Sequence, residues 1–177
     1  LAQLQAAKLN DDVEVAHYAA TAVAQISKES DLKLQQLERA FKTDPSAQNL
    51  NEYCDFLGEY LGSGLAEGRV AQIQRQQYAR LLARRCERED TLELRIRYAT
   101  ALADVGQIDE AQAVTDQLVL DVPDEQEVWM LCLRLAVMRR DGDEVHRVID
   151  AIDKQHVYLS ADNREKLAFW RDGEEAR

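Results

Sequence analysis

The histidines and cysteines are the side chains of this chain best suited to ligate a metal or to act as a nucleophile, and there are three of each. A zinc site needs ligands at short, regular spacings, and a nucleophile needs a base beside it. No such spacing links the six residues, which are His17, His146, His156, Cys54, Cys86 and Cys132. We predict no metal site, no cofactor and no catalytic nucleophile. The histidines are expected to pack or cap, and the cysteines to be reduced core residues.

The remaining candidates for chemistry are a glycine-rich stretch and abundant carboxylates. Gly62-Ser63-Gly64 lacks the flanking strand and the Gly-Lys-Ser/Thr ending of a phosphate-binding loop, so we interpret it as a connection between helices. No carboxylate pair stands out as an acid and its base, because charged helix surfaces produce such pairs by chance. A helical hydrolase with buried, paired carboxylates remains an alternative, but the residues favour a protein without catalytic activity.

The charges of the chain, −11 in total, are distributed unevenly. This net charge argues against non-specific binding of nucleic acid or of an anionic membrane. From Arg69 to Arg97 there are eight arginines and four acids, whereas residues 104–153 contain thirteen acids and four arginines. These charges either pair within the chain on solvated helix faces, or the basic stretch docks an acidic protein partner. The arginines expected to contact such a partner are Arg80, Arg84 and Arg88.

Helices must position these side chains, because the chain is rich in helix-forming residues and has only seven glycines and two prolines. The composition therefore predicts an all-α fold. No apolar run is long enough to insert into a membrane. Asn10-Asp11-Asp12 supplies helix caps. The predicted helices cover residues 1–9, 13–28, 31–43, 49–61, 66–88, two segments between 91 and 123, and then 124–140, 144–155 and 160–170.

Apolar residues at helical spacing predict which faces are buried. The helix that begins at residue 13 has a stripe consisting of Val15, Tyr18, Ala19, Ala22, Val23 and Ile26. The alanines in this stripe permit another helix to approach closely. On later helices, we expect Ala40, Val70 and Met138 to point inward.

The stretch from Thr91 to Pro123 resembles a tetratricopeptide repeat (TPR), a helical hairpin of 34 residues. With Leu92 as the first position, Gly106, Ala111 and Pro123 fall on the glycine, alanine and proline positions of that pattern. A small residue lets two helices cross closely, and proline ends the second helix. The next unit begins at Gln126 and has Trp129 at its tryptophan position, but its glycine turn, at Gly142, comes two residues late. Ala40 and Pro45 fit the end of an earlier unit.

The resemblance implies TPR-like hairpins stacked as a short right-handed solenoid, with a non-repetitive helical bundle as the alternative. We expect one domain, with N-terminal helices over residues 1–45, hairpins over 46–171 and a frayed tail over 172–177. The first helices of the hairpins would line a concave face that binds protein. Phe56 and Tyr60, one helical turn apart, would form either an aromatic patch or part of the core. The residues expected on that face are Glu52, Phe56, Tyr60, Glu93, Ile96, Thr100, Glu127, Met130 and Arg134.

Several stretches resemble one bacterial family more closely. The segment from Asp12 to Ala22, DVEVAHYAATA, is similar to a segment in the soluble domain of PelE-type proteins of Pel exopolysaccharide operons. There it precedes a TPR-like array. The stretch LNEYCDFLGEYLGSGL, the arginine-rich helix RQQYARLL and the late Trp170 resemble the same domain.

This second resemblance implies a role in biofilm exopolysaccharide synthesis. It implies a membrane anchor before Leu1 and a TPR-like domain at the cytoplasmic face of the bacterial inner membrane. The domain would be a non-catalytic scaffold of the Pel synthase and secretion complex, with the cyclic-di-GMP receptor PelD or other Pel components as partners. An alternative is a structural protein that forms homo-oligomers by stacking the ends of its repeats.

Overall fold

The structure is a computed structural model that describes residues 1–10 and 12–172, and its secondary structure there is entirely helical. The all-α prediction is confirmed. Asp11 of the predicted cap and the tail from residue 173 onwards lie outside the described residues. The helices are α1 (Ala2–Ala7), α2 (Val13–Thr43), α3 (Ala47–Gly62), α4 (Gly68–Cys86), α5 (Leu92–Asp104), α6 (Ile108–Asp121), α7 (Gln126–Arg139), α8 (Gly142–Lys154) and α9 (Ala161–Asp172).

The chain divides into two compact units, Leu1–Arg85 and Cys86–Arg177. The first unit contains α1 to α3 and nearly all of α4, and the second contains α5 to α9. The division expected from sequence, which separates N-terminal helices from hairpins after Pro45, stays a prediction.

Helix α2 is continuous over 31 residues, so the prediction of two helices that meet near residue 30 is wrong. The connecting residues include neither glycine nor proline, and the backbone therefore continues in helical geometry. Asp31 was expected to start a new helix, but its Oδ1 instead accepts a hydrogen bond from the Tyr60 hydroxyl at 2.7 Å. The true start of α2 is capped by Asp12, whose carboxylate accepts hydrogen bonds from the backbone N–H groups of Glu14 and Val15.

The core of the first unit lies among the second half of α2, α3 and α4. Its buried side chains include Leu34, Leu37, Phe41, Leu50, Leu57, Leu81 and Leu82. Five residues of the chain that we expected to be buried are exposed instead, namely Val15, Tyr18, Ala40, Val70 and Met138. Val70 and Met138 lie close to a helix end, where fewer neighbouring side chains can cover them.

In the second unit, α5 and α6 form a helical hairpin, and α7 and α8 form another. The buried Ala111, at 0 % exposure, lies between Leu102 and Leu118 in the core of the first hairpin, as its small-residue position predicts. Val128, Leu131 and Leu135 of α7 belong to the same core, which joins the two hairpins. A second cluster, with Trp129 and Leu133, unites α7, α8 and α9.

The turns of the two hairpins are equivalent, and this corrects the position expected for the second. Gly106 has φ +79°, and the left-handed residue 34 positions later is Arg140, with φ +57°. The same two backbone hydrogen bonds close both turns: residues 106 and 140 donate to residues 103 and 137, and residues 107 and 141 donate to residues 102 and 136. Gly142 is not in the turn, because Asp141 caps α8 and the helix begins at Gly142.

Candidate protein-binding surfaces

The most strongly charged helix of the first unit is α4, which contains five arginines and no acidic residue. Arg69, Arg75, Arg80 and Arg84 are exposed. Arg69, Arg80 and Arg84 fall within about 60° of one another around the helix axis at 100° per residue. Two aliphatic side chains on the same helix, Val70 and Ile73, are 59 % and 58 % exposed. The helix therefore presents a basic surface that contains apolar side chains.

Arg84 is held at this surface by an aromatic ring of α2. Its guanidinium carbon lies 5.6 Å from the centre of the Phe41 ring, which is within the range of a cation–π contact. Phe41 is in turn buried and lies 6.2 Å, between ring centres, from Tyr53 of α3. The packing of three helices thus fixes the position of one cation on the basic surface.

The predicted helix places Arg88 on the same helix as Arg80 and Arg84, and the structure corrects that helix boundary. Helix α4 ends at Cys86, and Arg88 lies beyond it in the second unit. The predicted helix of residues 66–88 was too long, because no glycine or proline in the sequence marks its end. Of the three predicted arginines, Arg80 and Arg84 lie on α4.

Arg85 has a structural role in the first unit, and the sequence did not predict its burial. Its side chain is buried, and its Nη1 donates to Asp55 Oδ1 of α3 at 2.6 Å. Its Nε is buried and has no hydrogen-bond partner among the described residues. Burial by itself lowers the pKa of Arg85, but interactions with Asp55 and Cys54 raise it overall. The available signal was its position on the same helix face as Leu81 and Tyr78.

Phe56 and Tyr60 do not form an exposed aromatic patch, so that interpretation is wrong for Tyr60. Tyr60 is only 6 % exposed, since its ring lies in the core while its hydroxyl donates to Asp31. Burial, followed by the hydrogen bond and charge of Asp31, raises the pKa of Tyr60 to about 12. Phe56 is half-buried. Glu52 is exposed, and its Oε1 accepts a hydrogen bond from Gln48 Nε2 at 3.0 Å.

In the second unit, the predicted residues of α5 are only partly available. Glu93 is exposed and lies 3.9 Å from Arg97 Nη1. Ile96 is half-buried and packs against the core of the α5–α6 hairpin, and Thr100 is also half-buried. Of the three predicted residues of α5, Glu93 is therefore the most accessible to a partner.

The predicted residues of α7 follow the same pattern. Glu127 is exposed, and Met130 is half-buried against the cluster that unites α7, α8 and α9. Arg134 Nη2 donates to Asp104 Oδ1 at the end of α5, so part of its charge is already neutralised within the unit. The structure thus places Glu93, Glu127 and Arg134 at the surface of the second unit, and Glu52 at the surface of the first.

The histidines and cysteines, for which we predict no catalytic or metal-binding role, differ in their exposure. His17 and His156 are exposed, and His146 is half-buried. Cys54 and Cys132 are buried, Cys86 is half-buried, and none of the three forms a disulfide bond in the described part of the chain. Burial, with smaller effects of Asp116 and Glu144, raises the pKa of Cys132 to about 12, so its thiol stays protonated at neutral pH. Across residues 1–10 and 12–172, no group of three potential ligands could hold a metal ion.

None of the helices in the described part of the chain is long and apolar enough to cross a lipid bilayer.

The comparison with protein families gives one match. The model of the tetratricopeptide repeat family matches residues 65–135, which include α4, the α5–α6 hairpin and most of α7. No curated protein matches the chain, and no solved structure matches it. Repeats of this family generally mediate protein–protein interactions and are generally non-catalytic. The turn at Gly106 and the small residue Ala111 lie within the matched stretch, and the chain therefore contains a TPR-like domain.

Proposed function

We propose that the chain is a non-catalytic scaffold that assembles protein components of a Pel-type exopolysaccharide synthase and secretion complex. The observation that carries its scaffold role is the tetratricopeptide repeat match over residues 65–135. That stretch begins with the basic helix α4, whose exposed arginines have no acidic residue beside them on the helix.

The Pel assignment is supported by resemblance. The segment from Asp12 to Ala22 forms the start of α2, and the stretch from Leu50 to Leu65 includes most of α3 and its connection to α4. Both are similar to segments of PelE-type proteins. On that basis the protein acts at the cytoplasmic face of the bacterial inner membrane, and its partner is the cyclic-di-GMP receptor PelD or another Pel component.

The basic surface of α4 is our candidate for the contact with that partner. The chain as a whole has a net charge of −11, so a cationic helix is the exception on its surface. Opposite charge on a partner would speed association and set its orientation. Val70 and Ile73 would add apolar contact area to that interface.

A binding experiment with purified components tests this proposal. The cytoplasmic part of PelD is immobilised, and binding of the chain is compared with that of the double variant Arg80→Glu/Arg84→Glu. We expect binding by the original chain and a loss of at least about tenfold in affinity for the variant. The control is Lys28→Glu/Lys33→Glu, which makes the same change in net charge at exposed positions of α2.

Equal weakening by both double variants would show a general charge effect and would rule out α4 as the contact. A second test removes the domain from the full-length protein and follows assembly of the Pel complex. Normal assembly without the domain would contradict the scaffold role itself.

A further inference from the structure

The first half of α2 has an apolar edge that the helices of the first unit leave open. Leu34, Leu37 and Phe41 are buried in the second half, whereas Ala19 is the only buried residue of α2 before Leu34. Tyr18 is 72 % exposed and Val15 is 41 % exposed, and Ala22 and Ile26 are half-buried. Helix α1 packs against α2, but none of its own residues is buried.

These four residues form a continuous seam along the helix. Val15, Tyr18, Ala22 and Ile26 are spaced three, four and four residues apart, which places them within about 80° of one another around the helix axis. Such a seam is the pattern by which two helices pack side by side. Val13, 80 % exposed, lies five residues before Tyr18 and on another face of the helix.

Charge indicates what covers the seam. Residues 13–27 contain one charged residue, Glu14, although charged residues make up 31 % of the chain. Two copies of a chain with a net charge of −11 repel each other over most of their surface, and this repulsion is smallest where charges are missing. Depletion of charge is also the compositional mark of an interface core.

The order of side-chain sizes in the seam indicates how two copies would meet. If two seams run antiparallel with Tyr18 facing Ala22 of the other copy, the largest side chain of each seam lies opposite the smallest. Val15 then lies beside Ile26 of the other copy, and Glu14 comes close to its Lys28. A two-fold axis makes every contact occur twice, which is the requirement for a closed dimer.

From these observations we propose that the chain forms an antiparallel dimer through the seam of Val15, Tyr18, Ala22 and Ile26 on α2. The occupant of each seam is the same seam of a second copy. This inference is independent of the scaffold function, since it does not involve α4 or the second unit.

Sedimentation equilibrium of the 177-residue chain tests the dimer. Between about 1 and 200 μM, we expect the average mass to rise from that of a monomer to that of a dimer. Tyr18→Glu should raise the dissociation constant at least about 30-fold, because two aromatic side chains leave the interface of each dimer. Since Tyr18 is exposed in the monomer, the circular dichroism of the variant should be unchanged.

The matched control is Leu120→Glu, which places a charge at a residue of α6 that is 76 % exposed. It should dimerise like the original chain. A monomer at every concentration would overturn the proposal, as would equal effects of Tyr18→Glu and Leu120→Glu.

Disulfide trapping distinguishes the antiparallel arrangement from a parallel one. In a Cys86→Ser background, a mixture of Tyr18→Cys and Ala22→Cys chains should form a mixed disulfide under mild oxidation. Val15→Cys lies on the seam, but its two copies should not link to each other, because antiparallel helices place the two Val15 positions about 15 Å apart. Rapid linking between two Val15→Cys chains without the mixed product would overturn the antiparallel arrangement.

Discussion

Arg140 occupies the same left-handed turn position as Gly106, 34 residues later, and the same pair of backbone hydrogen bonds closes both turns. The repeat is therefore kept in the backbone although the glycine is not kept in the sequence. The left-handed conformation destabilises an L-residue by about 1 kcal/mol, and glycine has no such penalty because it lacks a Cβ atom. The second hairpin tolerates this cost because Asp141 caps α8 immediately after the turn.

The first prediction concerns these two turns. Arg140→Gly should raise the free energy of unfolding by about 0.5 kcal/mol, since the relief of backbone strain exceeds the added freedom of glycine in the unfolded chain. Gly106→Ala should lower it by about 1 kcal/mol for the opposite reason. Urea unfolding measures both. A stabilising effect of Gly106→Ala would show that the turn relaxes to another conformation.

The second prediction concerns the ion pair between the buried Arg85 and the half-exposed Asp55. Asp55→Ala leaves a buried guanidinium without its acceptor and should lower the free energy of unfolding by about 2 kcal/mol. Arg85→Met should cost less, about 1 kcal/mol, because the carboxylate left behind is 48 % exposed and water can solvate it. Urea unfolding of the two variants at neutral pH gives the comparison. If Arg85→Met lowers the free energy of unfolding more than Asp55→Ala does, packing of the Arg85 side chain contributes more to stability than the ion pair.

The third prediction concerns alkaline pH. Burial raises the pKa of both Tyr53 and Tyr60 to about 12. An unfolded tyrosine titrates near pH 10. Their contribution to stability is therefore fully present below about pH 10 and is lost as the pH rises towards about 12.

Thermal unfolding between pH 8 and 12 measures this loss. Tyr53→Phe should make the decrease in melting temperature above pH 10 shallower, because one titrating group is removed. Absorbance at 295 nm should show part of the tyrosinate signal only near pH 12. An identical pH profile for the original chain and Tyr53→Phe would contradict the assignment for Tyr53.

The fourth prediction concerns thiol reactivity. Cys54 and Cys132 are buried, and the pKa of Cys132 is raised by burial, so neither should react quickly with a thiol reagent at pH 8. Cys86 is half-buried and should react first. Counting thiols with a chromogenic disulfide should give one fast group in the folded chain and three in guanidinium. A Cys86→Ser variant should have no fast group.

The α5–α6 hairpin was predictable from sequence because local chemistry determines it. The Thr91 side chain accepts a hydrogen bond from the backbone N–H of Leu94 at the start of α5, and Gly106 has a positive φ. Ala111 is fully buried in the core of the hairpin. Each of these residues belongs to a type that its backbone position or packing requires. The repeat spacing then placed Trp129 in the next hairpin, where it is buried.

Other features depended on distant contacts that spacing does not reveal. In the sequence, Asp31 has the side chain of a helix cap. In the structure its carboxylate instead accepts a hydrogen bond from the hydroxyl of Tyr60, a residue 29 positions later, and local spacing does not predict this contact. Arg85 lies among exposed arginines in the sequence, and only the position of Asp55 on α3 makes its burial tolerable. The candidate binding residues remain predictions, because exposure shows which side chains a partner can reach and not which of them it contacts.

The length of α2 has a mechanical consequence. From Val13 to Phe41 the helix rises about 42 Å at 1.5 Å per residue, and only its second half is clamped in the core of the first unit. If α2 tilts, it therefore pivots near Leu34 to Phe41, and its N-terminal end moves furthest. A tilt of about 10° there would displace the first turn by about 6 Å, given that rise. A small change in packing beneath Phe41 would thus be amplified at the far end of α2.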